Sequence, residues 1–138
     1  MTSDDYIKIF KESGALLEGH FVLTSGRHSS SYFQCAKVLQ YPKYLEMFSN
    51  EIASHFQSFE IDLVVSPAVG GIVIGTEVGR AMKKRTIFAE REDGKMRFRR
   101  GFNIKEKEKI LIVEDVITTG GSVKEVIQLI ENSGGIVE

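Results

Sequence analysis

Cysteine is almost absent from this 138-residue sequence, in which Cys35 is the only one. A single thiol cannot form an internal disulfide, and this usage is typical of proteins from a reducing cytoplasm. Histidine is scarce as well, and His20, His28 and His55 are too scattered to give, with one cysteine, the spacing of a zinc site. We therefore expect a cytoplasmic protein without a structural zinc ion.

Long apolar runs and an excess of one charge are also missing. No apolar stretch approaches the roughly 20 residues of a membrane-spanning helix. The N-terminal segment, MTSDDYIKIF, has acidic residues where a secretory signal has basic ones. The 18 basic and 19 acidic side chains leave a net charge of -1, which gives no global electrostatic reason to bind nucleic acid or a membrane. We expect neither partner.

The remaining composition, 42% hydrophobic and 27% charged, is that of a globular protein. The length suits one domain over residues 1–138, with N-terminal helices in 1–60 and an α/β core in 61–138. In the core, apolar runs alternate with segments of helical periodicity. This alternation predicts a mainly parallel sheet with right-handed crossovers and flanking helices.

The N-terminal part predicts two helices separated by turn-rich sequence. The first is capped by Thr2 or Ser3 and stops at Gly14, and the second begins at Pro42. Between them, residues 32–36 (YFQCA) have the composition of a strand.

The α/β core predicts a regular order of elements. The expected strands are 61–66, 86–90 and 110–115, the expected helices 72–84 and the segment after Ser122, and the expected hairpin turn Asp93-Gly94. A further strand begins at Ile136, and only two residues follow it. We therefore expect this chain to be part of a longer domain.

The segment ILIVEDVITTGGS, residues 110–122, carries the strongest functional pattern. A buried strand delivers Glu114 and Asp115 at its carboxyl end, and a Thr-Thr-Gly-Gly-Ser turn then leads into a helix N-terminus, which favours an anion such as phosphate. The carboxylate pair alone is equally consistent with a solvated strand end. Coupled to the turn, it predicts a sugar-phosphate site. The spacing matches neither GxGxxG nor a P-loop.

Two further segments are candidate parts of this site. The turn Ala68 to Gly71 follows another strand, and it is either a plain connection or a second phosphate cradle, since glycines let backbone donors approach closely. Arg91, Lys95 and Arg97 belong with Arg99 and Arg100 to a basic hairpin. This hairpin is either an exposed ribbon, a loop that closes over a polyphosphate, or a nucleic-acid contact that lacks a wider basic surface.

These motifs resemble a known family. ILIVEDVITTGGS is similar to the signature of type I phosphoribosyltransferases, which bind 5-phosphoribosyl 1-diphosphate. TSGRHSSSYFQ, SPAVGG and FAEREDGKMRFRRGF narrow the resemblance, which covers essentially the whole chain, to the orotate phosphoribosyltransferases. The resemblance implies a type I phosphoribosyltransferase fold with a small N-terminal hood, a Mg²⁺ carried by the diphosphate donor rather than bound by the protein directly, and a homodimer.

The resemblance also implies residue roles. Glu114 and Asp115 would engage the ribose hydroxyls, and Lys95 would neutralise the leaving diphosphate. Residues 91–101 would form a catalytic loop that reaches the neighbouring active site of the dimer. The implied positions around the 5-phosphate are Thr118, Thr119, Gly120, Gly121 and Ser122, with Thr118 also near orotate, and Val116 and Ile117 just before them are further substrate-binding positions. Around the diphosphate they are Ala68, Val69, Gly70 and Gly71, often with a strained or cis peptide. Arg91 would bind substrate from the loop, and Tyr32 and Phe33 would lie against orotate.

The sequence departs from the family pattern at three places. Thr24 stands where many members have lysine, and Arg97 stands where many have histidine. The orotate-anchoring arginine of the family follows the next strand, beyond Glu138. Three alternatives to orotate transfer therefore remain: a purine-type phosphoribosyltransferase, a donor-sensing regulatory protein that binds RNA or DNA, and a fragment that binds the donor with little turnover.

Overall fold

A computed structural model describes residues 2–22, 27–115 and 121–138 of the chain. The described chain forms two compact units, residues 1–45 and 46–138. The α/β class is confirmed, and the prediction of a single domain stays a prediction. Among the described residues, every helix is too short or too polar to cross a lipid bilayer.

The first unit combines short helices with a two-stranded antiparallel sheet. Its elements are α1 (Ser3–Glu12), β1 (Leu16–Val22), β2 (His28–Phe33), α2 (Cys35–Leu39) and the start of α3 (Pro42–His55). The predicted start of α1 is confirmed, because the Thr2 hydroxyl accepts the amide of Asp5 while the Asp5 carboxylate accepts the amide of Thr2. Gly14, with a φ of 76°, follows the end of α1.

The sequence-based prediction for this unit is wrong in two respects. The strand predicted at 32–36 ends at Phe33, and Cys35 begins a short helix that buries Cys35 and Val38. The strand β1 was not predicted at all. Its pairing with β2 shifts register between Glu18 and Phe21, and such an irregularity interrupts the alternation by which strands are recognised.

The second unit is built on a five-stranded sheet in the order β5-β4-β3-β6-β7. Its elements are β3 (Leu63–Pro67), α4 (Gly71–Met82), β4 (Arg85–Glu92), β5 (Lys95–Phe98), β6 (Lys109–Ile112), α5 (Gly121–Asn132) and β7 (Ile136–Val137). All neighbouring strands are parallel except β4 and β5, which form the predicted hairpin. The order of strands and helices expected from residue 61 onward is confirmed.

The two faces of this sheet are covered by different helices. Leu63 and Val65 belong to the buried cluster that includes Val126 and Ile130 of α5, whereas Ser66 points to α4. Gly75 approaches Ser66 so closely that a Cβ built at Gly75 would overlap the serine hydroxyl. Because adjacent strand residues point to opposite faces, β3 is buried on both sides, as expected of a central parallel strand.

Candidate functional site

Three of the predicted site segments lie at the end of the five-stranded sheet where its parallel strands finish, which we call its carboxyl edge. In β3 and β4, Pro67 is the register partner of Ala89, and in β3 and β6, Val65 is the partner of Ile112. The strands are parallel, so their carboxyl ends meet at the same edge. The turn after β3, the hairpin that continues β4 and the carboxylates after β6 therefore lie side by side.

The turn at 68–71 directly contacts the two carboxylates. A Cβ built at Gly70 would lie 2.5 Å from Oδ2 of Asp115, and one built at Gly71 would lie 3.3 Å from Oε1 of Glu114. A side chain at position 70 would force the Asp115 carboxylate to move, whereas one at position 71 would make a tight contact with Glu114. The Ala68–Val69 peptide bond is cis, one of the two forms that the family resemblance implied for this turn.

The turn leads into α4, which begins at Gly71. No side chain among the described residues caps its N-terminus. This N-terminus lies at the same end of the sheet as the carboxylates, because the turn directly follows the carboxyl end of β3. Val69 is 82% exposed, and Gly70 is exposed as well. The turn therefore combines accessible backbone donors with the positive end of a helix dipole, which favours an anion.

Glu114 is half-buried and has an unusual protonation behaviour. Its Oε1 accepts the backbone amide of Asp115 at 2.9 Å. Burial, with a smaller contribution from the neighbouring Asp115 carboxylate, raises the pKa of Glu114 from 4.5 to about 8. At neutral pH Glu114 is accordingly protonated in large part.

The hairpin β4–β5 turns at Asp93 and Gly94, whose φ angles are 52° and 78°. Its inner face packs against the core, where Met96 is 9% exposed and belongs to the same buried cluster as Val126 of α5. Lys95 and Arg97 flank Met96 on β5 and are both exposed. They therefore point away from the core on the same face of the strand.

Three of the five basic side chains in the hairpin segment are engaged by carboxylates. Arg91 forms a two-pronged pair with Glu125 of α5, with N–O distances of 2.7 and 2.9 Å. Arg99 pairs with Glu92 at 2.7 Å, and Arg100 pairs with Glu90 at 2.6 Å. Arg100 lowers the pKa of Glu90, and Arg91 lowers the pKa of Glu125, each by a direct hydrogen bond.

Lys95 and Arg97 differ from these three. Neither forms an ion pair with any carboxylate in the part of the chain that the structure describes. They are the basic groups of the hairpin whose charge is still available to an anion.

Several predicted site residues fall outside the described ranges, namely Val116, Ile117, Thr118, Thr119 and Gly120. Gly121 and Ser122 begin α5. Tyr32 and Phe33 belong to β2 in the first unit, where their backbone is described. The structure thus brings together Ala68 to Gly71 with Glu114 and Asp115, and it places the hairpin at the same edge.

Sequence reasoning missed Glu125, which fixes Arg91. The two residues are separated by 34 positions and lie on a strand and a helix, so no local motif joins them. The local sequence shows only that Glu125 is a charged residue directly before Val126, which the structure buries.

Comparisons with known proteins place this geometry in a family. The sequence profile described as "Phosphoribosyl transferase domain" matches residues 45–137. The chain is 61% identical over 137 residues to the orotate phosphoribosyltransferase of Chlorobaculum parvum, covering 99% of this chain and 71% of that protein. It superposes on the orotate phosphoribosyltransferase from Aeropyrum pernix with a TM-score of 0.73, at 25% identity, covering 94% of this chain and 75% of that chain. Its likeness to Leishmania donovani UMP synthase concerns the fold alone, with a TM-score of 0.84 at 21% identity over 99% of this chain and 30% of that chain.

Proposed function

The chain belongs to the phosphoribosyl transferase family, and within it to the orotate phosphoribosyltransferases, and we propose that it transfers the phosphoribosyl group of 5-phosphoribosyl 1-diphosphate to orotate. The products are orotidine 5′-phosphate and diphosphate, in the synthesis of pyrimidine nucleotides. The observation that carries the proposal is the close approach of Gly70 and Gly71 to Asp115 and Glu114. It puts an anion-binding turn beside hydroxyl-binding carboxylates, as a ribosyl diphosphate requires.

In the proposed reaction, a ring nitrogen of orotate attacks the anomeric carbon as the bond to diphosphate breaks. Positive charge grows on the sugar and negative charge on the leaving group, so positioning and electrostatics carry the catalysis. Glu114 and Asp115 hold the ribose hydroxyls, the turn Ala68 to Gly71 receives the diphosphate, and Lys95 neutralises it as it leaves. The TTGGS segment, by its sequence, holds the 5-phosphate.

Magnesium is the proposed cofactor, brought by the diphosphate. No group of three or more His, Cys, Asp or Glu side chains converges within residues 2–22, 27–115 and 121–138. A protein cage is not required, because Mg²⁺ is commonly held by one or two carboxylates together with substrate phosphates. In this proposal Glu114 and Asp115 are not direct ligands, and they would meet the cation only through the ribose hydroxyls that they hold. The bound cation supplies charge neutralisation of the diphosphate.

A homodimer in which residues 91–101 reach the neighbouring active site is part of the proposal. In support, β5 is the edge strand of the sheet and its outward face carries Lys95 and Arg97. Subunit complementation tests it. Inactive Lys95→Ala and Asp115→Asn chains, when mixed, should regain activity if the loop serves the partner's site, and should stay inactive if each loop serves its own.

The decisive experiment compares acceptors. Formation of orotidine 5′-phosphate from the donor should require magnesium and orotate, and adenine, guanine and xanthine should not replace orotate. Turnover with a purine would instead assign a purine-type enzyme. Donor binding without turnover on any base would favour a donor-sensing protein or a fragment with little activity.

A further inference from the structure

We infer that Glu125 is a positioning residue, which anchors the β4–β5 hairpin to α5 through Arg91 and so fixes the direction in which Lys95 and Arg97 are presented. This inference rests on the proposed function. It assigns Arg91 a role inside the protein in place of the direct substrate contact that the family resemblance implied.

The first support is the geometry of the pair. Both guanidinium nitrogens of Arg91 bind Glu125, Nη1 to Oε2 at 2.7 Å and Nη2 to Oε1 at 2.9 Å. Arg91 Nη1 also donates to the carbonyl oxygen of Gly94 at 3.3 Å. One side chain thus joins α5 to the turn of the hairpin. A bidentate arrangement fixes the orientation as well as the distance.

The second support is that a packing contact stands beside the ion pair. Arg91 and Met96 are register partners across the hairpin, so they point to the same face. Arg91 contacts Glu125, while Met96 is buried in the cluster that contains the next residue, Val126. The cross-strand pair Arg91 and Met96 is therefore held to α5 in two ways. Arg91 forms an ion pair with Glu125, and Met96 packs in the apolar cluster that contains Val126.

The third support is the distribution of charge. Arg91 lies on the face of the hairpin that packs on α5, and its charge is balanced by Glu125. Lys95 and Arg97 lie on the opposite face, exposed and without an ion pair among the described residues. Anchoring one face determines where the other face points. The cations available to a diphosphate are accordingly Lys95 and Arg97.

Exchanging the charges of Arg91 and Glu125 in the full chain tests whether their pair positions the hairpin. Arg91→Glu and Glu125→Gln should each speed amide hydrogen exchange in residues 92–98 and lower kcat, by about fivefold for Glu125→Gln, since the pair is partly exposed. The double variant, Arg91→Glu with Glu125→Arg, should recover both the protection and most of kcat. Glu131→Gln removes an equal charge from the exposed side of the same helix and should change neither.

Two outcomes would overturn the inference. If the double variant restores protection but stays as inactive as Arg91→Glu, Arg91 contacts the substrate. If neither protection nor kcat recovers, or if Glu125→Gln leaves hydrogen exchange unchanged, the pair does not position the hairpin.

Failure of the proposed function would look different. In that case the wild-type chain forms no orotidine 5′-phosphate. The hydrogen-exchange comparison still decides whether Glu125 anchors the hairpin, because it needs no turnover.

Discussion

The backbone amide of Asp115 donates a 2.9 Å hydrogen bond to Oε1 of Glu114, its immediate neighbour in the sequence. The bond folds the Glu114 side chain back over the end of β6, where Gly71 approaches it. The same carboxyl that is proposed to meet the ribose is therefore half-buried and next to a second carboxylate. Its raised pKa, about 8, follows from this placement.

Stability should fall as the pH rises because of Glu114. The folded-state pKa, about 8, lies above the ordinary value of 4.5, so between these values the folded chain binds more protons than the unfolded chain. The contribution of Glu114 is fully present below pH 4.5 and is lost as the pH rises toward 8. The slope of the melting temperature over this window should flatten in Glu114→Gln. An unchanged slope would contradict the assignment.

Donor binding should release a proton near pH 7. A bound ribosyl diphosphate with its magnesium favours the carboxylate form of Glu114, which is protonated in the free chain at this pH. Calorimetric binding enthalpies, measured in buffers of different ionisation enthalpy, should therefore indicate release of up to about one proton. Glu114→Gln should abolish the dependence on buffer. Equal enthalpies in all buffers for the wild-type chain would rule out this coupling.

Gly70→Ala should lower the free energy of unfolding. Its Cβ would lie 2.5 Å from Oδ2 of Asp115, closer than side-chain atoms tolerate, so the turn and the carboxylate must move apart. The measurement is a double-mutant comparison of unfolding free energies. The cost of Gly70→Ala should be smaller when Asp115→Ala has removed the clash. Strict additivity of the two changes would show that the contact is absent.

Whether a contact can be predicted from the sequence depends on how far apart its residues are along the chain. The apolar run Ile110 to Val113 and the turn at Asp93-Gly94 are local patterns, and both predicted their elements. The helix α2 has five residues, too few for a periodicity of 3.6 to be recognised. Glycines at 70 and 71 indicated a close approach but could not say to which atoms. The bond between Arg91 and Glu125 could be found only in the folded structure, because the two residues are 34 positions apart in the sequence.

Gly75→Ala should destabilise the protein by about 1–3 kcal/mol, the usual cost of overpacking. An added Cβ would overlap the Ser66 hydroxyl and lie 2.9 Å from the Ser66 Cβ, between α4 and β3.

Ser66→Ala is the matched partner of Gly75→Ala. The Ser66 hydroxyl is buried without a hydrogen-bond partner among the described residues, so its removal should raise stability by about 1 kcal/mol. It should also reduce the cost of Gly75→Ala, as chemical denaturation would measure. A larger cost in the double variant would contradict this packing.

Lys95→Ala should lower turnover by orders of magnitude while leaving donor binding nearly intact. The lysine lies on the outward face of the edge strand β5, without an ion pair among the described residues, so its charge is free to meet the negative charge that develops on the leaving diphosphate. An interaction formed mainly in the transition state lowers kcat and kcat/KM together. Steady-state kinetics and a separate donor titration measure the two effects. Lys105→Ala removes a charge that is also exposed, from the loop before β6, and should change neither quantity. If Lys95→Ala weakens donor binding as much as it slows turnover, the lysine binds the ground state and has no special role in the departure of diphosphate.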